Sequence, residues 1–260
     1  MAGGSPPAFL FQDKFMSRLN SFYLQADLWP SYVGDIAVLK GTEARHMLTV
    51  LRTEEEQTIR LFDGHGHDGL FRVKEKDRNR ALLETIQLNE HQEPSHGVTL
   101  AIGWGKSKRR NYLFEKTVEL KGLGIAFWQA ARSQGNVPDS PKDNWEDKCI
   151  QAAKQCGNPH LPTLNTLPGG VNDLISFARD FDHCYLAWES DDATKPLTPS
   201  LLSNGRTVIV IGPEGGFEQS EAEQLIKADF SPVTLGDSVL RWETAATYCL
   251  SLGFNAGQEV

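Results

Sequence analysis

A strand that runs directly into a glycine-rich turn constrains this sequence more than any other feature. Residues 207–211 show almost no polar alternation, which is typical of a strand buried on both faces of a parallel sheet. The turn Gly-Pro-Glu-Gly-Gly-Phe follows at 212–217, and residues 218–228 have the periodicity of an amphipathic helix. Glycines permit positive φ and close backbone approach, and a helix N-terminus presents unpaired N–H groups. The segment predicts a site for a polar ligand, although a plain strand-to-helix turn has the same composition.

A second glycine turn further along the chain makes the first one informative. Residues 235–245 read Leu-Gly-Asp-Ser-Val-Leu-Arg-Trp-Glu-Thr-Ala, and the pattern that follows predicts a helix over 244–252. The first turn is neither a P-loop nor a Gly-x-Gly-x-x-Gly nucleotide motif. The order and spacing of the two turns are what make the pair specific.

The hydrophobic pattern divides the chain into two parts. Five β-rich runs at 22–24, 35–39, 57–62, 69–74 and 80–88, with one helix over 41–51, predict a small β-barrel. Beyond a linker at 89–97, predicted strands alternate with predicted helices, which predicts an α/β domain with a mainly parallel sheet. The predicted strands lie at 98–104, 183–188 and 207–211, and the predicted helices at 111–120, 145–156, 173–179, 218–228 and 244–252. The predicted parts are a flexible lead-in over 1–17, an N-terminal domain over 18–90 and a C-terminal domain over 97–260.

The two turns together resemble those of the SPOUT methyltransferases. Among these they resemble the ribosomal RNA small subunit methyltransferase E family, which methylates N3 of a uracil in 16S ribosomal RNA. The resemblance extends from about residue 18 to residue 254 and includes the segments 46–52, 61–64, 114–120, 131–133 and 152–156. It implies an α/β fold with a C-terminal SPOUT domain, which has a deep trefoil knot and a mainly parallel sheet. It also implies that the N-terminal domain is a PUA-like, RNA-binding β-barrel.

The resemblance implies S-adenosyl-L-methionine (SAM) as the cofactor, held in the knot by three loops. Backbone groups of Leu235, Val239 and Leu240 are expected to hold the adenine, and aliphatic side chains to sandwich it. The family is dimeric through the knot, so we expect a homodimer with the helix after the second turn at the interface. The implied cofactor-binding residues are Leu186, Trp188, Gly212, Pro213, Glu214, Gly215, Gly216, Leu235, Gly236, Ser238, Val239, Leu240, Thr244 and Ala245.

Methyl transfer to a uracil N3 requires loss of a weakly acidic proton, so a cation or donor should stabilise the developing anion. Arg241 is the first candidate for this role and Arg132 the second. Glu243 and Glu214 are expected to orient the reactants, and either could accept a proton. Because N3 lies on the Watson–Crick edge, the base must be unpaired or flipped out. An alternative for Arg241 is a salt bridge with one of these glutamates at the start of the helix.

Candidate RNA contacts come from basic residues, although the net charge of −8 requires any such contact to be local. A cluster of four cations at a strand end suits phosphate contact, but a solvated charged loop has the same composition. The candidates are Arg45 and Arg52 on the predicted N-terminal helix, and Lys106, Lys108, Arg109 and Arg110 after the strand at 98–104.

Cysteine use and the N-terminus indicate the compartment. Four cysteines without a Cys-x-x-Cys pair, and an N-terminus without a secretory pattern, predict reduced thiols in a cytoplasmic protein. No apolar run approaches the length of a membrane span. His65 and His67 have no third ligand nearby in the sequence, so we expect no bound metal.

The leading hypothesis is a SAM-dependent rRNA (uracil-N3) methyltransferase that acts on 16S ribosomal RNA or on the assembled small subunit. Lys154, Asn158 and Ser238 depart from the family pattern, which has an acidic residue, an arginine and a basic residue there. These changes keep open a SPOUT enzyme with a different RNA target. A third hypothesis, a non-catalytic knotted RNA-binding assembly factor, is disfavoured by the intact glycine turns.

Overall fold

The computed structural model describes residues 19–105, 109–189 and 195–258, and the chain forms two compact units. Unit 1 contains the chain up to Glu93 together with Ile150–Leu161, and unit 2 contains Pro94–Cys149 and the chain from Pro162 onward. Unit 1 therefore takes in a short segment of the domain predicted over 97–260. The predicted lead-in over 1–17 lies outside the described residues.

Unit 1 is built on a mixed sheet of five strands. They are β1 (Ser21–Tyr23), β2 (Ile36–Lys40), β3 (Thr58–Phe62), β4 (His67–Asp77) and β5 (Arg80–Glu90), in the order β1-β3-β4-β5-β2. β1 and β3 are parallel, and the other pairs are antiparallel. Register shifts between β4 and β5 bend this pair. The sheet is curled, with β1 and β2 as its edges within the described residues, in the part of the chain where a small PUA-like β-barrel is predicted.

A helix and a π-helical turn complete the core of unit 1. Helix α1 (Gly41–Arg45) continues into a π-helical turn at His46–Val50, in the place of the helix predicted over 41–51. Ala44 and Met47 are fully buried and join the apolar side chains of the sheet. The inward face of this segment is thus fixed by packing.

Unit 2 is built on a parallel sheet of six strands. They are β6 (Gly97–Gly103), β7 (Gly124–Trp128), β8 (Thr163–Leu167), β9 (His183–Ala187), β10 (Arg206–Ile211) and β11 (Ser231–Val233), in the order β11-β9-β10-β6-β7-β8. Every pair is parallel. The sequence pattern predicts β6, β9 and β10 but not the other three. β7 is a short apolar run that periodicity cannot assign, β8 is half polar, and β11 has a proline in its centre.

Five helices follow the pattern predicted for this part of the chain. They are α2 (Arg110–Glu119), α3 (Asp143–Cys156), α4 (Val171–Phe177), α5 (Gln219–Lys227) and α6 (Trp242–Ala256). The division between the units falls within α3. Fully buried Ala101, Leu186, Val208 and Val210 form part of the core around the sheet. No helix within the described ranges combines the length and the apolar character needed to cross a membrane.

Two departures from the family pattern have structural roles within unit 1. The Lys154 ammonium pairs with the Glu43 carboxylate at 2.8 Å, and its side chain is only 6% exposed. The side-chain oxygen of buried Asn158 accepts the backbone N–H of His160 at 3.0 Å. Both residues therefore have a partner inside unit 1, whereas the effect of these changes on the choice of substrate stays a prediction.

The carboxyl ends of β9, β10 and β11 meet at one edge of the parallel sheet. A loop follows each strand, after Ala187, Ile211 and Val233 respectively. Where strand order departs from chain order, such an edge forms a crevice that ligands occupy. The two glycine turns are two of these loops, so the fold brings together segments that are separate in the sequence.

Candidate cofactor-binding site

A cavity of about 800 Å³ lies at this edge of the sheet. Its volume falls within the range of about 300–1,000 Å³ that is usual for small-molecule sites. Most of its wall comes from the loop after β9 and from the two glycine turns. The lining residues are Arg109, Ala187, Trp188, Glu189, Ile211, Gly212, Pro213, Glu214, Gly215, Gly216, Phe217, Thr234, Leu235, Gly236, Ser238, Val239, Leu240, Arg241, Trp242, Glu243 and Ala245.

The first glycine turn packs tightly against the neighbouring strand. At Gly103, the last residue of β6, an added Cβ would come within 2.4 Å of the Pro213 backbone nitrogen. The Gly216 N–H donates to the Pro213 carbonyl at 2.9 Å, and Gly216 has a φ of 71°, which favours glycine. The Phe217 ring stacks on Trp128, with ring centroids 5.8 Å apart. These contacts hold the turn against β6 and β7.

The second glycine turn presents an apolar side chain to the cavity. Gly236 has a φ of 128°, and the Thr234 hydroxyl donates to the Gly236 carbonyl at 2.8 Å. Val239 lines the cavity and is 82% exposed. An aliphatic side chain exposed in a cavity suits contact with the flat face of a ligand ring.

An ion pair links the second turn to the start of α2. Glu243, in the first turn of α6, pairs with Arg109, and both side chains line the cavity. The Glu243 side chain is 11% exposed, whereas that of Arg109 is 56% exposed. The pair therefore has one mostly buried and one solvated member, and it holds the carboxylate in place.

Arg110, the residue after Arg109, is half-buried and lies close to the first glycine turn. The Arg110 guanidinium stacks over the Trp104 ring at 3.9 Å and donates to the Gly105 carbonyl. An added Cβ at Gly105 would come within 2.4 Å of the Glu214 carboxylate. Burial lowers the pKa of Arg110, and the nearby Glu214 carboxylate opposes that shift. Of the four predicted basic residues, Lys106 and Lys108 lie outside the described residues.

A buried glutamate connects the first turn to a second segment of the chain. Glu221 in α5 is 6% exposed, and its carboxylate accepts the backbone N–H groups of Ala131 at 2.7 Å and Glu218 at 3.0 Å. Arg132, the next residue after Ala131, donates from Nη1 to the Gly215 carbonyl at 3.1 Å. The glutamate thereby positions the residues that support the glycine turn from outside the cavity.

The cavity brings together twelve of the fourteen residues predicted to bind the cofactor; Leu186 and Thr244 are not among its lining residues. Side chains alternate along β9, so Leu186 is fully buried in the core while Ala187 lines the cavity. Thr244 is exposed on α6. Successive side chains on a helix point in directions more than a quarter of a turn apart, so Thr244 points away from the direction of Ala245.

The catalytic and RNA-binding candidates are distributed over several places. Arg241 and Glu243 line the cavity, whereas Arg132 contacts the first turn without lining it. Arg109 also lines the cavity, and Arg45 and Arg52 are exposed in unit 1. Their roles in chemistry and RNA binding stay predictions.

Several lining residues were not predicted from the sequence, although they lie next to residues that were predicted. Ile211 and Phe217 flank the first glycine turn, Thr234 precedes the second, and Trp242 lies inside the second motif. Ala187 and Glu189 flank Trp188, which was predicted. For metal ions, no group of three or more His, Cys, Asp or Glu side chains within the described ranges could serve as a site.

Comparison with known proteins agrees with this architecture. The chain matches an RNA methyltransferase domain over residues 91–253 and an RNA methyltransferase PUA domain over residues 39–86. Fold and site thus define an RNA methyltransferase. The ribosomal RNA small subunit methyltransferase E of Mesomycoplasma hyopneumoniae is 31% identical over 82% of this chain and 92% of its own. This chain belongs to the ribosomal RNA small subunit methyltransferase E family.

Further relatives support the same assignment. The Bacillus subtilis member is 27% identical over 82% of this chain and 87% of its own. A crystal structure of the Neisseria gonorrhoeae member, bound to S-adenosyl methionine, superposes with a TM-score of 0.76 at 27% identity and covers 90% of this chain and 96% of its own. Between them, the two matched domains include residues of both units.

Proposed function

We propose that this protein is a SAM-dependent methyltransferase that methylates N3 of a uridine in the 16S ribosomal RNA of the small subunit. The observation that carries the proposal is the cavity lined by two glycine turns in a chain of this family. Such an enzyme acts in rRNA processing and ribosome biogenesis, and its partner is 16S ribosomal RNA or the assembled small subunit.

The residues of the cavity fit SAM. Leu235, Val239 and Leu240 line the cavity, and their backbone groups are proposed to hold the adenine, with the exposed Val239 side chain as an apolar face for it. Glycines in the first turn permit close approach of the backbone to the polar parts of the molecule. When bound, SAM supplies an electrophilic methyl group on its sulfonium. The chain itself has to orient the uracil and stabilise the charge that develops on it.

We assign the stabilising role to Arg241. Its side chain is exposed and lines the cavity, and within the described ranges no carboxylate pairs with it. Glu243, which could have formed a salt bridge with Arg241, pairs with Arg109 instead. A cation without a partner in the cavity is available to an oxygen of the uracil anion. Arg132 is assigned to supporting the first turn, and Glu243 to orienting the reactants.

The proposal includes the knot, the dimer and the compartment. The C-terminal segment that ends in α6 is proposed to form a trefoil knot, and α6 with its 40% exposed Tyr248 to contribute to a homodimer interface. The four cysteines form no disulfide, which supports a reducing, cytoplasmic location. Light scattering that gives a monomer mass would contradict the dimer. An experimental density map in which α6 does not pass through a loop of the chain would contradict the knot.

Two experiments test the function. Calorimetry with SAM and with its demethylated product should show binding of both, and no binding of either would overturn the assignment of the cavity. Mass mapping of methylated nucleosides in ribosomal RNA should show loss of uracil-N3 methylation when the gene is deleted. Loss of a different methylated nucleoside would indicate another RNA target, and no loss at all would indicate an assembly factor.

A further inference from the structure

Trp242 lines the cavity, and the contacts assigned to the cofactor and to charge stabilisation do not involve it. It is the first residue of α6, directly after Arg241, and it is half-buried. We infer that the indole ring of Trp242 stacks on the target uracil once this base has left its stack in the RNA. The inference rests on the proposed function and names the residue that would hold the face of the substrate base.

Other tryptophans of unit 2 have packing partners inside the protein. Trp128 is fully buried, and its ring stacks on Phe217 with ring centroids 5.8 Å apart. Trp188, which also lines the cavity, packs against the apolar core around the parallel sheet. Within residues 19–105, 109–189 and 195–258, the Trp242 indole makes no ring contact, cation–π contact or hydrogen bond. Its ring is therefore available to a flat ligand, since aromatic rings gain free energy from stacking.

The start of α6 holds Trp242 beside the proposed stabilising cation. The Arg241 carbonyl accepts the backbone N–H groups of Thr244 and Ala245, both at 2.9 Å, so the first turn of the helix is formed. Consecutive Cα atoms lie about 3.8 Å apart, so Arg241 and Trp242 serve the same part of the cavity wall. A guanidinium donates to a carbonyl oxygen at the edge of a base, whereas an indole contacts its face. Together the two side chains would hold a uracil by its edge and its face.

Two flat rings have to be accommodated at the cavity, the adenine of SAM and the target base. The second glycine turn provides the groups proposed for the adenine, including the exposed Val239 side chain. A flipped base loses the stacking of its neighbours in the RNA, and enzymes that act on flipped bases restore it with aromatic or apolar side chains. Trp242 therefore belongs to the uracil, and stacking on the adenine is the alternative that the experiment separates.

The role is tested with Trp242→Leu, which keeps an apolar side chain, and with Trp242→Phe, which keeps an aromatic ring. Methyl transfer is measured at saturating SAM with a 16S ribosomal RNA transcript and with small ribosomal subunits. A contact of equal strength in the ground state and the transition state changes KM and leaves kcat unchanged. The KM for RNA should rise about tenfold in Trp242→Leu, the scale of one lost stacking contact to a base. Trp242→Phe should restore most of this loss.

Calorimetry with SAM distinguishes the two rings and reports whether the site is intact. Both variants should bind SAM as the wild type does, because neither removes a backbone group of the second turn or the Val239 side chain. The control is Tyr112→Leu, which removes a ring that is 42% exposed on α2 and is not a lining residue of the cavity. It should change neither the KM for RNA nor the Kd for SAM.

Fluorescence tests the same contact without catalysis. Oligouridylate is added to protein that is saturated with the demethylated product of SAM, and tryptophan emission is recorded. A base stacked on an indole quenches its emission, so quenching should be stronger in the wild type than in Trp242→Phe. The difference between these two proteins separates the signal of Trp242 from that of Trp188, which also lines the cavity.

The outcomes separate this inference from the proposed function. An unchanged KM in Trp242→Leu, or an equal rise in both variants, overturns the inference, since the ring is then unused or only structural. A raised Kd for SAM with an unchanged KM for RNA also overturns it, because Trp242 then stacks on the adenine. A wild type that binds SAM but methylates no RNA contradicts the proposed function, and the quenching difference then decides the inference. The same difference decides if Trp242→Leu does not fold.

Discussion

Replacing Glu221 with glutamine should weaken cofactor binding, although Glu221 is not itself a lining residue of the cavity. The buried carboxylate accepts two backbone N–H groups, from Ala131 at 2.7 Å and from Glu218 at 3.0 Å. Glutamine keeps the size of the side chain and one accepting oxygen. Its NH₂ group can only donate, so one of the two N–H groups loses its acceptor.

The size of the effect follows from this loss. A buried N–H without an acceptor costs about 1–3 kcal/mol, so the free energy of unfolding should drop by about that amount. The bond to Ala131 also fixes the segment from which Arg132 contacts the first glycine turn. If about 1 kcal/mol of this loss appears as weaker binding at the first glycine turn, the Kd for SAM rises about fivefold.

Urea unfolding followed by circular dichroism gives the stability, and calorimetry gives the Kd for SAM. The matched control is Glu223→Gln, which makes the same change of charge on the exposed side of α5. A Glu221→Gln variant that loses stability but binds SAM like the control would contradict a link between this carboxylate and the cofactor site. The glutamate would then be a helix cap and nothing more.

Three further predictions concern the cavity and the core of unit 1. Arg241→Ala should retain SAM binding by calorimetry and lose methyl transfer in a radiolabel assay; loss of both, with a less stable protein, would favour a structural role. Asp68→Asn should lower the free energy of unfolding by about 3–5 kcal/mol in urea, because it leaves Arg60, 2% exposed and paired with Asp68 at 2.6 Å, as a buried unpaired charge; a loss below about 1 kcal/mol would refute this. Burial lowers the pKa of His160, and the nearby His91 adds to the shift. The unfolded chain therefore binds more protons as pH falls through the ordinary value of about 6.5, so stability should decrease there and less so in His160→Gln; identical pH profiles would contradict this.

The glycine turns could be predicted because their signals are local. β10 has no polar alternation, two glycines follow the proline and glutamate, and the helix after the turn has a clear apolar face. The same local signals give five helices of unit 2. They do not give β8 or β11, whose polar residues and proline are tolerated because these two are the edge strands of the sheet.

The long-range contacts of the site could not be predicted. Arg109 and Glu243 are far apart in the sequence, and nothing near either residue indicates the other. The sequence predicts RNA contact for Arg109 and Arg110, and it gives no sign of their contacts with Glu243 and Trp104, because neither partner is near them in a recognisable motif. Lys154 is a similar case, since its partly buried partner Glu43 lies in a helix that is distant in the sequence. Pairings of this kind depend on the tertiary fold, which composition and periodicity do not contain.

The positions of the tryptophans allow intrinsic fluorescence to report on the cavity and on unit 1 separately. Trp188 and Trp242 line the cavity, whereas Trp128 is fully buried against Phe217. Trp29 is the only tryptophan in the sequence of unit 1. A ligand in the cavity should therefore change the emission of two indoles directly, without any attached dye. A variant that keeps Trp29 and replaces the other five with phenylalanine would report the melting of unit 1 alone.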